Sequence, residues 1–179
     1  FYYAPLFNKD IGDWDVSNVT NMMEMFALSP FNQPIGNWDV SKVTSMRRMF
    51  SGANHFNQPL NTWNVSKVTD MSLMFKQSIV ISVNSGFNLD IGNWNVGLVT
   101  NMDSMFRGAV KFNQDLSSWN VSNVTNMFEM FRQASDFNQD ISNWDVSNVV
   151  NCLYFAGYTG DVGDPMSWTL PQPNFTNCD

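Results

Sequence analysis

Three aspartates, Asp90, Asp115 and Asp140, occupy the same position in successive repeats of this chain. If the repeats stack at strand spacing, the carboxylates stand about 5 Å apart. Like charges that close repel unless they are well solvated or bridged by a cation, and calcium accepts carboxylate and amide oxygens. The equivalent positions in two other repeats are Pro34 and Pro59, which supply no ligand. A solvated acidic rank is therefore favoured, and neither a metal nor any other cofactor is expected. The single histidine, His55, lies at a variable position just before a phenylalanine. No nucleophile elbow, H-E-x-x-H helix, phosphate loop or zinc cysteine pair is present. Carboxylates that recur in register are not how one acid–base pair is made, so the expectation is a non-catalytic protein.

A second column, Thr20, Thr44, Thr69, Thr100 and Thr125, could order water on a flat face and bind ice. Its flanking column (Asn21, Ser45, Asp70, Asn101, Asn126) is polar but not threonine, which leaves ice binding a minor reading. Bonding of the threonines to nearby backbone is the simpler one. Cys152 and Cys178 are the candidates for a disulfide, with two free thiols as the alternative. Five N-x-[ST] sequons occur, at Asn18, Asn64, Asn120, Asn123 and Asn174. Four belong to the repeat consensus, so Asn174 is the best single candidate for glycosylation.

The elements that position these columns follow from the tryptophans. Trp14, Trp38, Trp63, Trp94, Trp119 and Trp144 are spaced by 24, 25, 31, 25 and 25 residues. Such a period marks a solenoid, in which each unit buries its apolar face against its neighbours. The consensus is F-N-Q-x-[IL]-x-x-W-[DN]-V-[SG]-x-V-T-x-M-x-x-M-F. Around Trp38-Asp39-Val40 apolar residues alternate, as in a short strand. Val43, Met46, Met49 and Phe50 have a helical spacing, and Ser41 is placed to cap that helix. The spacing thus predicts an α/β repeat of about six 25-residue coils, each with a short strand and a short helix, the size of a leucine-rich-repeat-like coil. A pure β-helix is the alternative. Asn8, Asn32, Asn57, Asn88, Asn113 and Asn138 are read as a ladder that satisfies backbone groups of the adjacent turn. The Phe, Trp and Met columns read as a core stack.

The period breaks in three places. Phe1 aligns with Phe26 one period on, so the chain begins inside a coil, and further coils or a partner are expected upstream. Phe75 and Phe87 are 12 residues apart where five or six is usual. The extra residues, about 76–86, include Ile79, Val80 and Ile81, either a surface loop on a binding face or a bulge tucked into the core. After Ala156 the period is lost. Residues 1–156 are thus read as repeats and 157–179 as a C-terminal cap, with Trp168 and Phe175 covering the last coil.

The totals narrow the partners. The chain has 15 Phe, 12 Met and 7 Trp, only 14% charged residues, and a net charge of -7. That acidity argues against nucleic acid, and no stretch approaches a membrane span. Variable positions on the Met-Phe side gather the cations, Arg47, Arg48, Lys76, Arg107 and Arg132, while aspartates lie on the Trp side. Those arginines, with Ile79, Val80 and Ile81, are the candidate interaction residues for a protein or matrix ligand, or for other copies of the chain.

The string F-N-Q-[DP]-[IL]-x-x-W-[DN]-V-S-x-V-T-x-M-x-x-M-F resembles the bacterial surface-protein 26-residue repeat, which is similar to BspA-like leucine-rich repeats. The resemblance covers residues 1 to about 156. It implies a right-handed, LRR-like solenoid at the cell surface or outside the cell, with adhesion among the roles of relatives and no catalytic residues. The functional expectation is adhesion or protein–protein contact. The alternative is a passive stalk or self-assembling filament.

Overall fold

A computed structural model describes residues 1–77, 86–157 and 168–178 of the chain. Its local unit is the tight turn. In the coil containing Trp38, the amide of Trp38 donates to the carbonyl of Ile35, Val43 to Val40, Met49 to Met46, Ser51 to Arg48, and Ala53 to Phe50, all at 2.9–3.2 Å. The amides between these turns point out of the coil. Met46, Arg48, Phe50 and Gly52 donate to the carbonyls of Asp70, Ser72, Met74 and Lys76 in the next coil. The carbonyls of Ser45, Arg47, Met49 and Ser51 accept from Met22, Glu24, Phe26 and Leu28 in the coil before. Peptide groups therefore form hydrogen-bonded columns along the stack, with every N–H in these four columns pointing toward the C-terminal end. Such chains polarise one another and leave few buried amides unpaired.

This geometry corrects the α/β reading. Among the described residues there is no helix. Extended pairing is reduced to isolated parallel bridges linking Asn21, Ser45, Asp70, Asn101, Asn126 and Asn151 in series. The coil is thus not an LRR-like strand-plus-helix unit, and Ser41 caps no helix. Its amide instead donates to Oδ1 of Asp39, closing a turn at 3.0 Å. The cause lies in the middle of each Met-x-x-Met segment. Glu24, Arg48, Leu73, Ser104, Glu129 and Tyr154 all have φ between 50° and 59°. A left-handed residue there costs about 1 kcal/mol and ends any α-helix, and the inter-coil bonds on either side offset it. Met46, Met49 and Phe50 still point inward, so the spacing identified the buried face but not the backbone.

Burial follows the columns. Each coil contributes two face-to-face phenylalanines, Phe50 on Phe56 at 3.9 Å and Phe106 on Phe112 at 4.0 Å between ring centroids. Rings of adjacent coils follow at 5.5–5.8 Å in Phe50–Phe75, Phe75–Phe106 and Phe106–Phe131. Tryptophans, valines and methionines complete one continuous core. The asparagine ladder forms as expected. The amide of Asn113 donates to Oδ1 of Asn88, and the amide of Asn138 to Oδ1 of Asn113, both at 2.9 Å. Gln139 adds its Nε2 to the same Asn113 oxygen at 2.8 Å.

At the C-terminal end, Trp168 lies edge-on against Phe131 and Phe137. The amides of Thr169 and Leu170 reach Oδ1 of Asn138 at 2.8 and 3.0 Å, extending the ladder by one step. Phe175 packs on Phe155. A Cys152–Cys178 disulfide ties this segment to the last coil. The opposite end is less covered, with Phe1 and Trp14 of the same aromatic columns 43% and 47% exposed.

Candidate functional site

The acidic and threonine columns are absorbed by the fold. Oδ1 of Asp90 accepts the amide of Gly92, and the aspartates at 115 and 140 accept those of Ser117 and Ser142, at 2.8–3.1 Å. These serine hydrogen bonds hold Asp115 and Asp140 below the usual carboxylate range. Among the described residues no cluster of three or more metal-ligating side chains occurs. From Thr44 on, each threonine hydroxyl donates to the threonine carbonyl one coil earlier, as Thr44 to Thr20 at 3.1 Å and Thr125 to Thr100 at 3.2 Å. The ring of polar side chains is thus directed along the stack. His55 is exposed, and Asn174 lies on the exposed C-terminal segment.

The Met-Phe side differs. Its variable positions place cations from consecutive coils in one line, because the stack brings equivalent residues side by side. Arg48 pairs with Glu24 of the preceding coil at 2.5 Å. Arg107 pairs with Glu129 of the next coil at 2.6 Å, and Glu129 is bonded on its other oxygen by Arg132. The guanidinium of Arg132 also lies over the Tyr154 ring, 5.5 Å from its centroid. Between Arg48 and Arg107 stands Lys76. Burial, then the neighbouring Arg107 and Arg48, lower its pKa below the ordinary lysine value, against the smaller opposing pull of Glu129 and Asp103.

A cavity of about 290 Å³ opens among these residues, lined by Arg48, Lys76 and Arg107 with Ser51, Gln77 and Gln133. Its floor is shaped by Gly52, whose φ is 69° and whose added Cβ would come within 2.5 Å of Leu28 Cδ2. At the neck of the insertion, Gly86 sits against the Gln77 amide, which leaves no room there for a Cβ. The site is built on tight turns, and it presents donors of three kinds: guanidinium, ammonium and amide. Such a set recognises oxygen-bearing anions.

Of the candidate interaction residues, Arg48, Arg107 and Arg132 come together here. Arg47 does not: it is exposed on a neighbouring column, where its guanidinium meets the Met23 sulfur at 3.9 Å. Ile79, Val80 and Ile81 lie outside the described residues. Gln77, Gln133 and the ion-pairing role of Glu129 escaped the sequence reading. The signal for Glu129 is its place in the left-handed column opposite Arg107, visible only once adjacent coils are laid in register.

A family model described as "Mycoplasma protein of unknown function, DUF285" matches residues 1–85 and again residues 78–162. No curated protein and no solved structure is detectably similar to the chain.

Proposed function

Because the chain belongs to the DUF285 repeat family, we propose that it is a non-catalytic repeat protein of the cell surface or extracellular space that mediates adhesion or protein–protein contact. The resemblance of its consensus to bacterial surface-protein and BspA-like repeats supports that placement. So does the Cys152–Cys178 disulfide, since disulfides persist in oxidising compartments. Among the described residues no helix is long and apolar enough to cross a membrane.

One observation carries the binding reading: cations of several coils converge on one cavity in a chain whose net charge is -7. Elsewhere in the stack, polar side chains are largely spent on hydrogen bonds to neighbouring turns. A partner with complementary acidic or otherwise anionic groups fits that face. The net acidity makes nucleic acid a poor partner.

The test is retention of purified host-surface and matrix proteins by the immobilised full chain. Saturable binding of one of them, weakened by Arg48→Glu combined with Arg107→Glu and unaffected by Lys42→Glu, supports the reading. Retention of none, together with a mass that grows steadily with concentration, would overturn it in favour of a passive stalk or filament element. Trp168 and Phe175 already cover the last coil, which weighs against assembly through that end.

A further inference from the structure

The line of charges on the cavity side is paired at both ends and open in the middle. Arg48 has Glu24, and Arg107 shares Glu129 with Arg132. Lys76 stands between them without a carboxylate partner among the described residues, and residues 78–85 contain no Asp or Glu. A half-buried ammonium flanked by two guanidiniums is unfavourable by itself, because desolvation and like-charge repulsion act in the same direction. Three cations, Arg48, Lys76 and Arg107, line the cavity, while the carboxylates that act on them, Glu24, Glu129 and Asp103, are not part of its lining. Ser51, Gln77 and Gln133 add neutral donors to its wall. The complementary element is a small oxygen-bearing anion.

We infer that this cavity is a binding site for a compact oxoanionic group, a sulfate or phosphate, either as the free ion or as an ester carried by a partner. The inference deepens the binding reading above and rests on it for its biological meaning. A long polyanion is disfavoured on two grounds. Glu24 and Glu129 bound the cationic line, and the chain as a whole is acidic, so a polymer extending beyond the cavity meets like charge. Within the cavity, Arg48 and Arg107 offer planar forks that take two oxygens each, and Lys76 supplies a point charge between them.

The experiment is a calorimetric titration of the full chain with sodium sulfate at fixed ionic strength, with sodium chloride as the balancing salt. One saturable site is expected. Lys76→Met should weaken it by about tenfold, as loss of a charge-assisted contact implies. Lys76→Arg should retain it within about threefold, since the charge is kept. Lys67→Met, at an exposed turn position, serves as the control. Absence of a saturable site, or equal weakening in the Lys67→Met and Lys76→Met variants, overturns the inference. A sulfotyrosine peptide used in place of inorganic sulfate separates the sources: tighter binding assigns a partner-borne ester, and equal binding assigns the free ion. Sulfate binding without retention of any partner protein leaves the site standing and removes the adhesion reading. Retention of a partner without sulfate binding does the reverse.

Discussion

The indole Nε1–H of Trp119 donates to the carbonyl of Ile91, one coil earlier, at 3.1 Å. Trp63, Trp94 and Trp144 make the same bond to Ile35, Leu60 and Leu116. Each ring therefore fills the core and adds a second hydrogen bond to a carbonyl that already closes a turn, as Ile91 does with the amide of Trp94. Trp119→Phe keeps most of the apolar surface and removes the second of the two bonds to the Ile91 carbonyl, which costs about 1 kcal/mol. Trp14, half exposed at the first coil, should tolerate the same change within about 0.5 kcal/mol. Urea denaturation of the two variants checks the contrast, and equal midpoints would refute it.

The register of this stack was readable from Trp, Phe, Met and Asn recurrence, because each column touches its own counterpart one period away. The Asn88–Asn113–Asn138 ladder was readable for the same reason. The backbone was not. Residues three and four apart face inward in an α-helix and also in consecutive turns, so Met46, Met49 and Phe50 cannot distinguish the two. A glycine at the left-handed position would have exposed the turn, but Arg48, Leu73 and Glu129 stand there instead. The cavity was half readable. Arg48 belongs to the column inside Met-x-x-Met, whereas Lys76, Arg107 and Arg132 follow Met-Phe, and only the stacked geometry makes them neighbours.

The asparagine ladder makes a chemical distinction testable. Oδ1 of Asn113 accepts both the Asn138 amide and Gln139 Nε2. Asn113→Ala removes two bonds and should cost about 2 kcal/mol. Asn113→Asp keeps an acceptor at the same place and should cost less than half as much. Thermal unfolding of both variants decides the matter. If Asp proves as harmful as Ala, the ladder does not work through that oxygen.

The acidic columns predict a pH response. Asp15, Asp39, Asp115, Asp140 and Asp145 are each held below the usual carboxylate range by hydrogen bonds from the serine two residues on. Their folded pKa values are therefore lower than their unfolded ones. The stability they contribute is present above the unfolded carboxylate value and is lost as pH falls through the depressed folded values. The unfolding midpoint should be flat from neutrality to the top of the carboxylate range and decline below it. Ser117→Ala and Ser142→Ala, which remove hydroxyl bonds, should shrink that decline. An unchanged acid limb in the double variant would contradict the assignment.

The Cys152–Cys178 bridge spans a sequence separation of 26 and holds the segment that carries Trp168 and Phe175. Closing a loop of that size contributes about 3 kcal/mol on the chain-entropy account. Reduction, or Cys178→Ser, should lower the unfolding free energy by that amount. It should also raise solvent quenching of Trp168 fluorescence, read in a variant in which the other cap contacts are intact. Loss of stability without any change at Trp168 would mean that the segment is held by its packing on Phe131, Phe137 and Phe155 alone.

Glu129 is the negative centre of the charged line, its side chain only 5% exposed and its two oxygens shared between Arg107 and Arg132. Glu129→Gln preserves shape but removes the carboxylate that Arg107 and Arg132 share. Breaking a largely buried pair in this way costs about 3 kcal/mol, most of it from the uncompensated cations. The same substitution raises the positive excess around the cavity by one charge. Two effects of opposite sign should therefore appear in one variant: a lower unfolding midpoint in chloride, and a larger recovery in sulfate than the parent chain shows. A variant that loses stability with no added response to sulfate would place Glu129 in the scaffold and outside the field that the cavity presents to an anion.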